Sequence, residues 1–324
     1  MNRLVTLALV TVMFALALPA SLSPQCLAQD VQPDELRIYK SVDDVELNLH
    51  MFYPEGHEAT DQRPAIVFFF GGGWNGGTPT QFYKQSRFLS ERGMVACCAE
   101  YRVRSRNGTS PRECVMDGKS AIRWLRTNAT ELGIHPDKIS AGGGSAGGHV
   151  AAATATTSGF DEEGEDTSIS CVPAALVLFN PVYDNGPEGY GHDRVKEYWQ
   201  QISPMHNISA STPPTIVFLG TNDGLVPVET AERYKELMEA AGCRCDLHLY
   251  QDQGHGFFNR GEPYELTLQE TDRFLTSLGY LAEPATDESD REEFDEDRNE
   301  RALNEEEGLG RQPEGSGGVR SNDR

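Results

Sequence analysis

Ser145 sits among five glycines in the stretch KISAGGGSAGGH, residues 138–149. Glycine weakens regular structure, so this density around one hydroxyl implies a backbone geometry that other residues forbid. Gly143, Ser145 and Gly147 form a G-x-S-x-G pattern, preceded by the short apolar strand candidate Ile139–Ala141 and followed by the helix candidate VAAATATT from Val150. Between a strand and a helix, this pattern holds a serine on a sharp, strained turn, where glycines on either side remove colliding side chains. A flexible linker lacks such flanking elements. The helix beginning there aims its amides and positive dipole end at the hydroxyl. The chemistry implied is nucleophilic attack by Ser145.

A serine hydroxyl needs a base, and the base needs an acid to hold it. In a strand–turn–helix setting the chain order is serine, acid, histidine. Among the downstream histidines, His149 lies four residues along the same helix, placed to pack near Ser145 without reaching its hydroxyl. His192 and His206 fall in an irregular region, and His248 alternates within a strand. His255, in DQGHGFF, follows a strand on a glycine-flanked loop and is the expected base. TIVFLGTNDGLVP delivers Asp223 just beyond a strand, between nucleophile and base, as the expected acid; Asp184 and Asp246 are weaker alternatives. An Asp in such a turn can also serve simply as a local cap.

The negative oxygen formed by attack on an acyl carbon needs hydrogen-bond donors. FFFGGGWNGG, residues 68–77, places side-chain-free residues after a central strand, where backbone N–H groups can approach a substrate. Gly72 and Gly73 are expected to supply two donors and Ala146, after the nucleophile, a third. GxxxxGK[ST] is absent and no correctly placed GxGxxG with an acidic partner is read, which in practice excludes the common phosphate loops. This chemistry requires no cofactor. No metal site is expected either, since CxxC pairs are absent and no histidine doublet accompanies the cysteines.

The elements that must position these groups follow from the hydrophobic pattern. VELNLHMFY (45–53) alternates as a half-buried strand does, whereas AIVFFF (65–70) and 94–99 are continuously apolar, as buried strands are. Helical spacing is expected over 81–92, 115–132, 228–241 and 263–278, and further strands over 175–179, 215–219 and 246–250. Short buried strands alternating with amphipathic helices predict an α/β fold with a doubly wound, mainly parallel sheet. Residues 181–212 are rich in Tyr, Trp, Gly and Pro and fit no regular element. A lid-like excursion of that length entered from a strand end is more often functional than idle.

The chain of 324 residues is expected to divide into three parts. Residues 1–28 combine Arg3, an apolar run from Leu4 to Leu18 and a small-residue site near Ala28, the signature of a secretory signal peptide. Residues 34–282 fit one domain with a substantial core. Residues 284–324 are acidic and nearly devoid of apolar side chains, so a disordered tail is expected there. A formal charge of −22 makes nucleic acid an unsuitable partner. No long apolar run follows the leader, so no stable membrane insertion is expected, and the mature protein is expected outside the cytoplasm, secreted or periplasmic. Six cysteines beyond Cys26 permit disulfides in that compartment. Asn107, Asn128 and Asn207 each begin an N-x-S/T sequon.

With these residues in view, the block from Tyr101 to His149, YRVRSRNGTSPRECVMDGKSAIRWLRTNATELGIHPDKISAGGGSAGGH, resembles the α/β-hydrolase esterases. The similar branch is that of acetyl esterases and lipases, including bifunctional acetyl-xylan and feruloyl esterases, and the likeness runs from about Ile38 to Leu278. It implies a catalytic triad of Ser145, Asp223 and His255 and an oxyanion hole of Gly72, Gly73 and Ala146. Many relatives carry His before the glycine run, where this chain has Phe70. The expected function is therefore a secreted serine esterase for short acyl esters, with acetyl or feruloyl groups on polysaccharide among its candidate substrates. Tyr183, Tyr190, Tyr198 and Trp199 are candidate stacking platforms for sugar or aryl groups. Three alternatives stand beside it: a small-lipid esterase, a prolyl oligopeptidase-like peptidase, and a catalytically silent binding protein of the same fold.

Overall fold

The computed structural model describes residues 31–283. The expected signal peptide at 1–28 and acidic tail at 284–324 lie outside the described residues. Eight strands form one sheet: β1 (Glu35–Val42), β2 (Val45–Phe52), β3 (Arg63–Phe69), β4 (Val95–Ala99), β5 (Ile134–Gly144), β6 (Leu176–Phe179), β7 (Thr215–Gly220) and β8 (Cys245–Tyr250). Their order is β1-β2-β4-β3-β5-β6-β7-β8. The hairpin β1–β2 is antiparallel and pairs antiparallel with β4, while every pairing from β4 through β8 is parallel. Ala65 to Phe69 are buried without alternation, so both faces of the central sheet are covered, as in a doubly wound α/β fold.

The helices are α1 (Tyr83–Glu91), α2 (Arg104–Asn107), α3 (Pro111–Thr127), α4 (Ala146–Thr156), α5 (His192–Val195), α6 (Trp199–Ile202), α7 (Val228–Ala240) and α8 (Gly261–Ser277). The long helix α3 begins four residues before the expected start at 115. Ser110 and Glu113 form a capping box and Pro111 occupies the first turn, so local hydrogen bonds set the boundary ahead of the apolar periodicity. Strand β5 is longer than the expected 139–141. Its glycines continue the ladder, Gly142 opposite Phe68 and Gly144 opposite Phe179. A Cβ on Gly142 would lie 2.6 Å from the Phe68 ring, so the neighbouring aromatic strand demands glycine there. The excursion at 181–212 contains two short helices, α5 and α6, and a 3-10 turn at Pro204–Asn207.

Beneath α3 lies a closed ionic network. Lys40 Nζ on β1 contacts Asp117 Oδ1 at 2.7 Å and Glu162 Oε2 at 2.6 Å. Arg102 reaches Asp117 Oδ1 at 2.7 Å, and its own amide donates to Asp117 Oδ2 at 2.8 Å. Each charge is answered, as burial requires. The network ties β1, the segment after β4, α3 and the loop after α4. The six cysteines of the described residues are free thiols, five of them buried. No helix among those residues is long and apolar enough to cross a membrane.

Candidate active site

The residues expected to do chemistry leave the sheet at the carboxyl ends of its parallel strands, where open α/β sheets form their binding crevices. Gly71–Gly73 follow β3, Ser145 follows β5, Asp223 follows β7 and His255 follows β8. Ser145 adopts φ 54 and ψ −119, a conformation costly for a residue with a Cβ. Three backbone bonds hold it: its N–H donates to Phe179 O (2.9 Å), and its carbonyl accepts from His149 (3.0 Å) and Val182 (3.1 Å). The turn is tight enough that a Cβ on Gly147 would sit 2.0 Å from Phe69 O. That contact explains the glycine after the nucleophile.

The structure brings Ser145, His255 and Asp223 into one hydrogen-bonded chain. His255 Nδ1 lies 2.8 Å from Asp223 Oδ2, and His255 Nε2 lies 2.9 Å from Ser145 Oγ. An ionised carboxylate only accepts, so Nδ1 carries the proton and Nε2 is left to accept from the serine hydroxyl. The Asp223 side chain is fully buried while the His255 ring keeps partial exposure. Burial alone raises the Asp223 carboxyl. The His255 bond and the amides of Val226 (3.0 Å) and Leu225 (2.8 Å) outweigh it, and the net shift is below the usual carboxylate range. Asp223 is thus held ionised, oriented toward the ring.

The glycine loop faces the same crevice. Gly71 donates its N–H to Gln81 Oε1 at 2.6 Å, whereas the amides of Gly72, Gly73 and Ala146 find no backbone acceptor among the described residues. Gly72 has φ 130, and a Cβ there would meet Gly76 O at 2.3 Å, so the loop needs glycine at that point. Phe70 stacks on Tyr101 with ring centroids 4.1 Å apart, and the Tyr101 hydroxyl donates to Phe70 O. The phenyl ring therefore anchors the loop by stacking where a histidine would bring hydrogen bonds.

The other histidines occupy different settings. His149 is fully buried, holds Ile202 O at 3.1 Å and packs edge-on against Trp74; burial pulls it down to about 4, so it is neutral. His192 and His206 contact Asn185 O and Ser203 within the excursion, and His248 packs on Phe218 in the sheet. Asp184 caps the Gly186 amide, and Asp246 pairs with Arg244. Of the four aromatics in the excursion, only Tyr190 lines the crevice that contains Ser145 and His255. Tyr183 is buried and stacked on Tyr234, which removes it as a sugar platform.

Three polar residues join the site without any sequence signal having singled them out. Asn180, directly after β6, has φ 34 and is fully buried. Its Oδ1 accepts from Gly256 N at 3.0 Å, and its Nδ2 lies 3.4 Å from His255 Nε2. Gln81 bridges the two functional loops, accepting from Gly71 and donating to Asn259 Oδ1 at 3.1 Å, while Asn259 donates to Gly256 O. A polar residue immediately beyond the apolar run ALVLF was a usable cue for Asn180. Gln81 and Asn259 are 178 positions apart, and only the fold pairs them. Phe258 packs with Phe82 and Phe179 beneath the loop and fixes its base.

The crevice has a volume of about 430 Å³. A larger depression of about 640 Å³, lined by Asp34, Arg63, Arg87 and Arg92 among others, lies away from the serine. The hydrogen-bonded pair of Ser145 and His255 lines the smaller crevice instead.

Comparison with known proteins places the chain among esterases. Residues 49–178 match the BD-FAE family model and residues 185–302 that of the dienelactone hydrolase family. Esterase LipC of Mycobacterium tuberculosis is 29% identical over 220 residues, covering 61% of this chain and 54% of that protein. An acetylxylan esterase of Xylanibacter ruminicola is 28% identical over 255 residues, covering 73% of this chain and 49% of that protein. This chain spans about half the length of those two relatives. The apo form of Thermogutta terrifontis esterase 2 is 44% identical with a TM-score of 0.76, covering 80% of this chain and 99% of that one. The same esterase phosphorylated by paraoxon is 45% identical with a TM-score of 0.73, over 77% and 96% of the two chains.

Proposed function

The chain belongs to the α/β-hydrolase esterases, and we propose that it is itself a serine carboxylic-ester hydrolase acting on short acyl esters. The observation that carries this reading is the unbroken chain from Asp223 through His255 to Ser145 beside free glycine amides. Ser145 Oγ attacks the acyl carbon as His255 Nε2 takes its proton, and Asp223 steadies the imidazolium that forms. The amides of Gly72, Gly73 and Ala146 receive the developing oxyanion, each worth about 2.7–4 kcal/mol to the transition state. The imidazolium then gives its proton to the leaving alcohol. Water, deprotonated in turn by His255, releases the acid from the acyl-serine.

The preference for short acyl groups rests on the crevice. It is open and modest in volume, and Leu225 and Phe258 are its main apolar walls beside glycines, Asn75, Gln81 and Arg194. A long acyl chain gains affinity only by burying its methylenes, at about 0.8 kcal/mol each, and this lining gives few places to do so. Acetyl groups on saccharides are the first candidate. Tyr190 stands at the crevice wall to stack on a sugar face, and feruloyl esters, with an aryl acyl group, are the second. The leader-like sequence at 1–28 supports action outside the cytoplasm. A panel of p-nitrophenyl acetate through laurate, acetylated xylan, methyl ferulate and a proline peptide tests the reading. Rates should fall with acyl length beyond butyrate and be negligible on the peptide. Laurate cleaved faster than acetate contradicts the short-acyl reading, and efficient peptide cleavage contradicts the ester reading.

A further inference from the structure

The cationic side chains of this acidic protein are not distributed evenly between these two depressions. In the depression away from the serine, every lining arginine is neutralised: Arg63 by Asp61, Arg87 by Asp34 and Arg92 by Asp272. Arg194, in α5 of the excursion, lines the crevice of Ser145 and His255 and forms no ion pair among the described residues. Its Nη1 donates to Gly73 O, and its guanidinium lies 5.8 Å from the ring centroids of both Trp74 and Tyr190. The head group is thus held in place by a carbonyl and two aromatic faces, with its charge uncompensated.

Gly73, Asn75 and Arg194 also line a second groove of about 300 Å³, together with Arg104 of α2. Arg104 likewise has no carboxylate partner among the described residues. Asp193 is the single acid lining that groove, and it forms no ion pair with either guanidinium. On the other side of Tyr190 the surface is acidic instead, with Asp184, Glu188 and Glu229 lining a neighbouring groove. The mouth of the site is therefore polarised, one flank basic and the other acidic. In a chain of formal charge −22, long-range attraction does not bring anions here, so any preference for them has to come from local groups, Arg194 in the crevice and Arg104 in the adjoining groove.

We propose that the basic flank formed by Arg194 and Arg104 binds an anionic group, a carboxylate or a sulfate, on the ester substrate. The inference rests on the esterase reading above. Because the acyl group there is short, the charge belongs to the alcohol portion, as on an acetylated acidic saccharide. Arginine suits the task, since its planar fork meets an oxyanion through two parallel hydrogen bonds.

The test compares kcat/KM on matched acetyl esters: 3-acetoxybenzoate against 3-acetoxybenzamide, and acetylated methyl glucuronoside against the acetylated methyl glucoside and its 6-sulfate. The native enzyme should favour each anionic ester over its neutral partner by about two- to fivefold at low salt, the range of a single exposed charge pair. That ratio should fall to near unity in R194Q, persist in part in R194K, which keeps the charge but not the fork, fall in part in R104Q and shrink in 0.5 M NaCl. A gain for the uronoside alone assigns a carboxylate, and an equal gain for the sulfate assigns charge as such. Anionic esters no better than neutral ones in the native enzyme overturn the proposal. So does an unchanged ratio in both R194Q and R104Q; a uniform drop in kcat in R194Q then reduces Arg194 to a positioning residue for Gly73. Good turnover of the neutral esters in those cases leaves the esterase reading intact, whereas turnover of neither member contradicts both.

Discussion

Two buried polar clusters in this molecule use the same kinds of side chain to opposite ends. Under α3, Lys40, Arg102, Asp117 and Glu162 satisfy one another in a closed set, with Lys40 and Arg102 each bridging both carboxylates. At the carboxyl edge of the sheet, Asp223, His255 and Ser145 form an open line whose last member faces a crevice. The closed set has no hydrogen-bonding capacity directed at a ligand, and its yield is a stapled loop. The open line ends with Ser145 in a crevice that Gly72 and Gly73 also line, and Asn180, Gln81 and Asn259 brace the loops that carry it. Burial with full compensation holds a fold together. Burial with one directed deficiency makes a site.

Substitutions should separate the two clusters cleanly. The largest effect is expected for Ser145→Ala, which should lower kcat on p-nitrophenyl acetate by about 10⁶-fold with the thermal transition unmoved. His255→Ala should do nearly the same, and the double variant should be no worse than either, because the line acts as a unit. Asp223→Asn should cost about 10⁴-fold in kcat by holding the ring in the wrong tautomer, with the proton on Nε2, where it can no longer accept from Ser145. The reverse pattern is expected for Asp117→Asn. Breaking a buried set by removing one partner costs about 3–5 kcal/mol, read as a lower denaturant midpoint, with kcat of the folded fraction unchanged. Gln81→Leu probes the brace between the loops and should lower kcat by about tenfold, a fraction of the loss that accompanies misplacement of a catalytic group by about 1 Å.

Acid should weaken both clusters together. Burial raises Glu162, but its bonds to Lys40 and Arg102 win and hold it below the usual range. Asp223 is depressed as well, and Glu100, beside His50 and Asn48, is held at about 2. A carboxyl depressed on folding stabilises the native state above its unfolded value and loses that contribution as pH falls through its folded one. Stability should therefore hold above about pH 4.3, the unfolded carboxylate value, and decline progressively toward pH 2. Chemical denaturation across that window measures it. A flat profile contradicts the assigned role of these carboxylates.

What could be read in the sequence was the open line, and what could not was its support. Glycine spacing around Ser145 and the strand-end positions of Asp223 and His255 are local signals, so those residues stood out before any fold was known. Strand glycines 142–144 look like turn in the sequence, because nothing local reveals that Phe68 on the adjacent strand requires glycine at 142. Apolar periodicity alone starts α3 four residues late, because the Ser110–Glu113 cap and not the apolar pattern sets its boundary. The edge strand β1 exposes Leu36 and Ile38, so its apolar side chains do not mark a buried face. Gln81, Asn259 and the Lys40 network depend on contacts across most of the chain, and a one-dimensional pattern carries no trace of them. Tyr183 shows the converse error, an aromatic in an irregular segment that proves to be core.

The central claim, that Ser145 is the group that becomes acylated, is tested most directly by stoichiometric labelling with paraoxon followed by intact-mass measurement and peptide mapping. One phosphoryl group per chain is predicted, on Ser145, with activity lost in proportion to labelling and labelling abolished in Ser145→Ala. A fully labelled Ser145 in an enzyme that still turns over acetate esters, or a label on another residue that tracks the loss of activity, contradicts it.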